Sequence, residues 1–103
     1  MSSSKDYLEF ILEQLCELDE ISYRAMMGEY ILYFRGKIFG GIYDNRFLVK
    51  NIESARKLLP NAHLELPYRG GKEMLLIEDP EDREFLAQLV GSMCDELPLP
   101  KKK

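Results

Sequence analysis

Residues 23–50 read YRAMMGEYILYFRGKIFGGIYDNRFLVK, and the fold turns on them. The stretch is dense in Tyr, Phe, Ile and Val, which suit a pleated, half-buried surface. Arg35-Gly36 and Asp44-Asn45 interrupt it as turn-forming dipeptides between apolar runs. This pattern predicts an antiparallel meander with strands over Ser22 to Met27, Glu29 to Phe34, Lys37 to Tyr43 and Arg46 to Lys50, with Gly28 as the break between the first two. A two-residue turn at Arg35-Gly36 sets Phe34 opposite Lys37, Tyr33 opposite Ile38 and Ile31 opposite Gly40. Through Asp44-Asn45 the register continues, with Ile42 opposite Phe47 and Gly40 opposite Val49.

One face then collects Ile31, Tyr33, Ile38, Gly40, Ile42, Phe47 and Val49, and this is the expected seat for helices. The other collects Leu32, Phe34, Phe39, Gly41, Tyr43 and Leu48 with Lys37, Arg46 and Lys50. Aromatics ringed by cations suit a surface that meets something else. The candidate interaction surface is therefore Arg24, Leu32, Phe34, Lys37, Phe39, Tyr43, Arg46 and Lys50, and self-association through it is expected. Gly40-Gly41 inside a strand predicts a bulge, strong coiling or the close approach of a helix.

Outward from the meander, Ser3 or Ser4 caps a first helix whose Leu8, Ile11, Leu12, Leu15 and Leu18 recur at helical spacing. Glu9, Glu13, Glu17 and Glu20 form its solvated side. Arg24 is placed to pair with a helix carboxylate such as Glu20. Asn51 caps a short second helix over Ile52 to Leu59, stopped by Pro60-Asn61. His63 to Leu66 reads as a minor edge strand that Pro67 ends, and Glu73 to Glu78 as a buried strand. Asp79-Pro80-Glu81-Asp82 predicts the start of a closing helix, with Asp79 as cap and Phe85, Leu86, Leu89, Val90, Met93 and Leu97 on its buried side.

The chain has 103 residues, enough for one domain, here expected over residues 1–97 with a flexible Pro/Lys tail over 98–103. The longest apolar run, Tyr30 to Phe34, is far too short to span a bilayer. Met1 to Asp6 has no apolar signal core, so a cytoplasmic location without membrane contact is expected. The net charge of −4 conceals a segregation: residues 1–23 carry −5, residues 24–72 carry +5 and residues 73–103 carry −4. A basic middle suits an anionic partner. Arg69, Gly70, Gly71 and Lys72 form a candidate anion contact, because glycine backbone can turn its N–H groups outward between two cations. It lacks the spacing and ending of a phosphate-binding P-loop. Arg35, Lys37, Arg46, Lys50, Arg69 and Lys72 give the alternative expectation of a nucleic-acid contact.

Catalytic and metal chemistry finds no footing. Cys16 and Cys94 sit in helical patterns with no zinc or redox spacing and are expected to be buried free thiols. His63 has no ligand neighbour at metal spacing, the serines are cap, loop or helix residues, and the carboxylates lie on helix exteriors and first turns. No enzyme, cofactor or metal site is expected.

Arg24, Met26 and Gly28, then Tyr33 and Gly36, then Phe39, then Asp44, Phe47, Leu48, Val49 and Lys50 together resemble the N-terminal domain of the TfoX/Sxy family of bacterial competence regulators. Tyr68 and the segment at Met74 are similar to the second half of that domain. The resemblance covers most of Lys5 to Leu97, with Met27, Glu29 and Gly40 departing from the family pattern. It implies an α+β fold of secretion-chaperone-like architecture: an N-terminal helix, an antiparallel meander, a second helix, further strands and a C-terminal helix. It further implies a regulatory, non-enzymatic adaptor acting through protein contacts. The C-terminal domain of full-length family members is expected to be absent, since the sequence stops soon after Leu97.

Overall fold

Two tight turns shape the sheet. Arg35 and Gly36 adopt φ of 55° and 80°, and Asp44 and Asn45 adopt 54° and 57°. Left-handed backbone at both central positions gives a hairpin turn whose twist matches that of its strands. The computed structural model describes residues 4–26, 28–67, 70–78 and 80–97. In chain order the elements are α1 (Lys5–Gln14), β1 (Ile21–Met26), β2 (Glu29–Phe34), β3 (Lys37–Tyr43), β4 (Arg46–Val49), α2 (Glu53–Leu58), β5 (Leu64–Glu65), β6 (Met74–Leu76) and α3 (Arg83–Cys94). The strands form one antiparallel sheet in the order β1-β2-β3-β4-β6-β5, so the fold is α+β. The expected meander is present strand for strand, and Met27 lies outside the described residues. None of the helices described is long and apolar enough to cross a membrane.

The expected pairing holds for Phe34 with Lys37 and Tyr33 with Ile38, then slips. Leu32 faces Gly40, Ile31 faces Gly41 and Tyr30 faces Ile42, which leaves Phe39 as an extra residue on β3. This is a β-bulge, one of the outcomes the glycine pair predicts. Its physical reason is the close approach of a strand and not of a helix: a Cβ on Gly40 would run into the Leu48 carbonyl and lie 2.9 Å from the Val49 Cα.

The slip exchanges the faces of β2, because side chains alternate with a period of two. Leu32, Phe34 and Phe39, expected on the outer face, are buried in the core with Ile42, Phe47 and Val49. Ile31 and Tyr33, expected in the core, take the outer face. The β3–β4 register is as expected, with Ile42 opposite Phe47 and Gly40 opposite Val49.

Helices cover this one face. Leu8, Ile11 and Leu15 of the α1 region and Leu86, Leu89, Val90 and Met93 of α3 join the sheet residues in one core. The Ser4 hydroxyl caps α1 by accepting from the Tyr7 amide at 3.1 Å, and the Ser4 amide donates to Asn45 Oδ1 at 2.8 Å, which ties the helix start to the β3–β4 turn. Cys94 is buried as expected, but Cys16 is exposed, because α1 ends at Gln14 and Cys16 lies in the turn beyond the helical stripe. The α3 cap is Asp82, which accepts from the Phe85 amide at 3.1 Å, so the helix starts later than the Asp79-Pro80 signal predicts; Asp79 lies outside the described residues.

The α2 start also departs from expectation. Ile52 occupies the cap position without a side-chain bond, and Asn51 instead accepts from Arg56 through its carbonyl and Oδ1. The orphan amides of Glu53 and Ser54 donate to the two oxygens of Glu96, at 3.1 and 2.8 Å, from beyond the end of α3. At the other side of α3's last turn, Lys37 Nζ donates to the Cys94 carbonyl at 2.9 Å, placing a cation at a helix C-terminus. The Ser54 amide above all, with the Glu53 amide beside it, holds the Glu96 carboxyl below the ordinary glutamate value.

Gly40→Ala is expected to destabilise the fold by about 3 kcal/mol in urea unfolding, since the clash is with backbone that cannot swing aside. Gly91→Ala in α3 is the contrasting case: its Cβ would meet nothing within 4 Å, and a gain of about 0.5–1 kcal/mol is expected. For Glu96 the sign follows from its lowered folded-state pKa. Its contribution is complete above the ordinary glutamate range and is lost as the pH falls through the lowered value. The thermal midpoints of the wild type and Glu96→Ala should therefore differ near neutral pH and converge in acid; a difference independent of pH would contradict the cap.

Candidate functional site

The face of the sheet away from the helices is built by the same alternation. Arg24 of β1, Ile31 and Tyr33 of β2, Ile38, Gly41 and Tyr43 of β3, Arg46 and Leu48 of β4, followed by Lys50, and Met74 and Leu76 of β6 belong to it. Leu48 is fully buried yet lies outside the core cluster beneath the helices, so this face has cover of its own. Part of that cover is Tyr43, whose ring crosses its neighbour Gly41: a Cβ there would come within 2.8 Å of the Tyr43 ring and hydroxyl. Pro67, which is buried, leads into the connection to β6.

A cleft of about 620 Å³ opens at this point. Ile38, Ile52, Pro67 and Met74 give it apolar walls, and Tyr43, Asn51, Lys50 and Lys72 give it polar ones. Gly70, Gly71 and the carboxylate residue Glu73 complete the lining; Gly70 has φ of 88°. Lys50 is half-buried, and neither its ammonium nor that of Lys72 has a hydrogen bond or ion pair among the described residues. Of the other cations of the meander, Arg35, Lys37 and Arg46 are engaged, while Arg24 has no side-chain hydrogen bond or ion pair among the described residues. Arg46 binds Glu65 Oε1 at 2.7 Å, the Leu66 carbonyl at 3.0 Å and the Tyr43 carbonyl at 3.1 Å. Arg35 pairs with Glu20 at 3.2 Å and lies 5.1 Å over the Phe34 ring. Glu20 thus takes Arg35 and not the expected Arg24.

Of the candidate interaction surface, Arg24, Tyr43, Arg46 and Lys50 are on the outer face. Leu32, Phe34 and Phe39 are withdrawn into the core by the bulge. Lys37 travels with Phe34 to the helix side, where it caps α3. Of the candidate anion contact, Gly70, Gly71 and Lys72 line the cleft, and Arg69 lies outside the described residues. Sequence reasoning missed the partners that complete the cleft, Ile38, Ile52 and Met74. Only the slipped register and the fold of a distant loop bring them together.

Outside the cleft, the Glu96 carboxyl is lowered by capping and the Tyr7 phenol is pushed up by burial. No group of three His, Cys, Asp or Glu among these residues is arranged to hold a metal ion. His63, exposed as expected, sits 3.2 Å from Glu78.

This geometry can be set beside known proteins. An uncharacterized 12.7 kDa protein in trpE 5'region of Spirochaeta aurantia is 29% identical over 104 residues, an alignment spanning 100% of this chain and 90% of that protein. No solved structure matches the chain. The TfoX N-terminal domain matches residues 13–89, a span from the end of α1 through the sheet to the middle of α3 that contains the bulge, both tight turns and the whole cleft lining. On that match, the chain belongs to the TfoX N-terminal domain family.

Proposed function

We propose that the protein is a non-enzymatic regulatory domain of the cytoplasm that works by protein contact, taking an acidic, partly apolar segment of a partner on the outer face of its sheet. Family membership supports the regulatory class. The observation that carries the contact is Lys50. Lys50 is a half-buried residue lining a largely apolar cleft, and with neither its ammonium nor that of Lys72 paired to Glu73 or another carboxylate among the described residues, its charge is left to an incoming anion. Lys72 adds a second cation at the rim, and the apolar walls favour a ligand that brings hydrocarbon with its charge. The regulation of competence and transcription implied by the sequence resemblance would then be exercised through this contact.

The nucleic-acid alternative draws on the same cations and is less well supplied. Arg35, Lys37 and Arg46 are spent on Glu20, the Cys94 carbonyl and Glu65. Among the described residues of that set Lys50 and Lys72 are left, and two phosphate contacts correspond to a fall of affinity with salt of slope only about −2.

The two readings separate in one titration. Isotope-labelled protein is titrated with a synthetic peptide alternating Glu and Leu, and separately with duplex DNA. The peptide is expected to shift the amides of Lys50 to Ile52 and Gly70 to Met74, and Lys50→Glu with Lys72→Glu should abolish the response while moving stability by no more than about 0.5 kcal/mol each. Shifts confined to other surfaces would overturn the cleft as the contact. DNA binding with a slope much steeper than two contacts allow would favour the alternative.

A further inference from the structure

The sheet has a thinly guarded edge. β1 is an outer strand of six residues, paired to β2 without a bulge, and all but Ile21 are exposed. Natural edges are commonly blunted by proline, charged side chains, a bulge or extreme shortness, and of these Ile21-Ser22-Tyr23-Arg24-Ala25-Met26 has a single charge, Arg24. Tyr23 is 46% exposed and Met26 45%. The Arg35 amide donates to the Glu20 carbonyl at 3.1 Å, which fixes the alternation of the ladder. Ser22, Arg24 and Met26 exchange bonds with β2, so the N–H and C=O groups of Ile21, Tyr23 and Ala25 point away from the sheet.

Beside this edge lies a groove of about 610 Å³ between the end of α1 and β1. Leu12, Leu18, Ile21 and Tyr23 give it apolar walls, and Asp19 and Glu20 give it an acidic rim. The groove is on the same side as the outward side chain of Tyr23, because Tyr23 pairs with Leu32 of the core face. An added strand would therefore bond to the edge and lay alternate side chains into the groove.

We infer that the occupant of this edge is a second copy of the chain, with β1 pairing antiparallel to the β1 of its partner around Tyr23. The strand is complementary to itself only in that orientation. Its acidic residues, Asp19 and Glu20, precede it and its cation, Arg24, lies towards its other end. Antiparallel pairing brings Arg24 towards the acidic end of the other copy, twice over, whereas parallel pairing sets like charge beside like. Centring on Tyr23 sets Ile21 opposite Ala25 and Ser22 opposite Arg24, uses every outward N–H and C=O of the strand, and places two tyrosine rings over the two grooves. The result is one continuous sheet through both copies. This inference uses a surface separate from the cleft and stands or falls without it.

Sedimentation or light scattering over a concentration series is the test. The mass is expected to move from 12.0 kDa towards twice that value as concentration rises. Ala25→Pro removes an N–H that faces outward, and Tyr23→Lys puts charge on the two-fold axis; each is expected to hold the protein monomeric with its unfolding transition intact. Tyr23→Cys, with Cys16→Ser to remove the exposed native thiol, is expected to form a disulfide between copies on oxidation, since residues opposed in an antiparallel ladder lie within disulfide reach. A wild-type mass that stays at one chain up to about 1 mM overturns the inference, an affinity too weak to matter. So does a dimer that survives both edge variants, or a Tyr23→Cys variant that is dimeric and does not cross-link.

Discussion

The structure depends on how closely β3 approaches the backbone of β4 at Gly40. A side chain there would strike the Leu48 carbonyl, so the strands can pack as they do only because residue 40 has none. The approach goes with an extra residue on β3, Phe39, and that residue decides which side of β2 meets the helices. Without it, Ile31 and Tyr33 would line the core. With it, Leu32 and Phe34 do, and Phe39 fills the core beside them. Burying a large side chain removes roughly 1.5–3 kcal/mol worth of apolar surface from water, so the choice of face on β2 governs a large part of the stability of a chain this small.

Around this sheet the helices are held by polar contacts between distant parts of the chain. Asn45 in the β3–β4 turn holds the start of α1, Glu96 beyond α3 caps α2, and Lys37 from the sheet caps the end of α3. Each satisfies backbone groups that a helix end would otherwise leave without partners. They also fix the helices on one side of the sheet. Among the described residues, the opposite face keeps Lys50 and Lys72 uncommitted: Glu65 is taken by Arg46, and Glu73, which lines the same cleft, pairs with neither lysine. The recognition proposed for that face and the pairing inferred for the β1 edge both follow from where the bulge and the caps leave the surface open.

The local parts of this arrangement are legible in the sequence. Arg35-Gly36 and Asp44-Asn45 mark turns whose geometry permits little else, and they bring out β2 and β3 with their full extents. Gly40-Gly41 signals an irregularity, of which a bulge is one form beside strong coiling or a close helix. Where the extra residue falls is not legible, because either register leaves an alternation of apolar residues on both faces of β2, and the difference lies in contacts with β4 and with helices from the two ends of the chain. The caps are hidden for the same reason. Asn51 has the chemistry of a cap but is taken by Arg56, and the group that caps α2 in its place, Glu96, is more than forty residues away. Asp79 and Asp82 both precede a good helix, and the choice between them turns on which carboxylate meets an amide. For the outer face, the cations could be read but not their partners, so Lys37 and Arg46 counted as free when one is a helix cap and the other an ion pair. The residues that the cleft brings together, Lys50 with Gly70, Gly71 and Lys72, come from two segments that nothing in the local sequence joins.

The bulge is the claim on which the rest stands, and adjacent substitutions on β2 probe it directly. Ile31→Lys and Leu32→Lys are compared by urea unfolding. With the extra residue at Phe39, lysine at 32 is driven into the core and is expected to cost about 4 kcal/mol or to prevent folding, while lysine at 31 reaches the outer face and costs about 1 kcal/mol or less. The reverse order, with position 31 intolerant and position 32 tolerant, would mean that β2 presents its other side to the helices and would contradict the account.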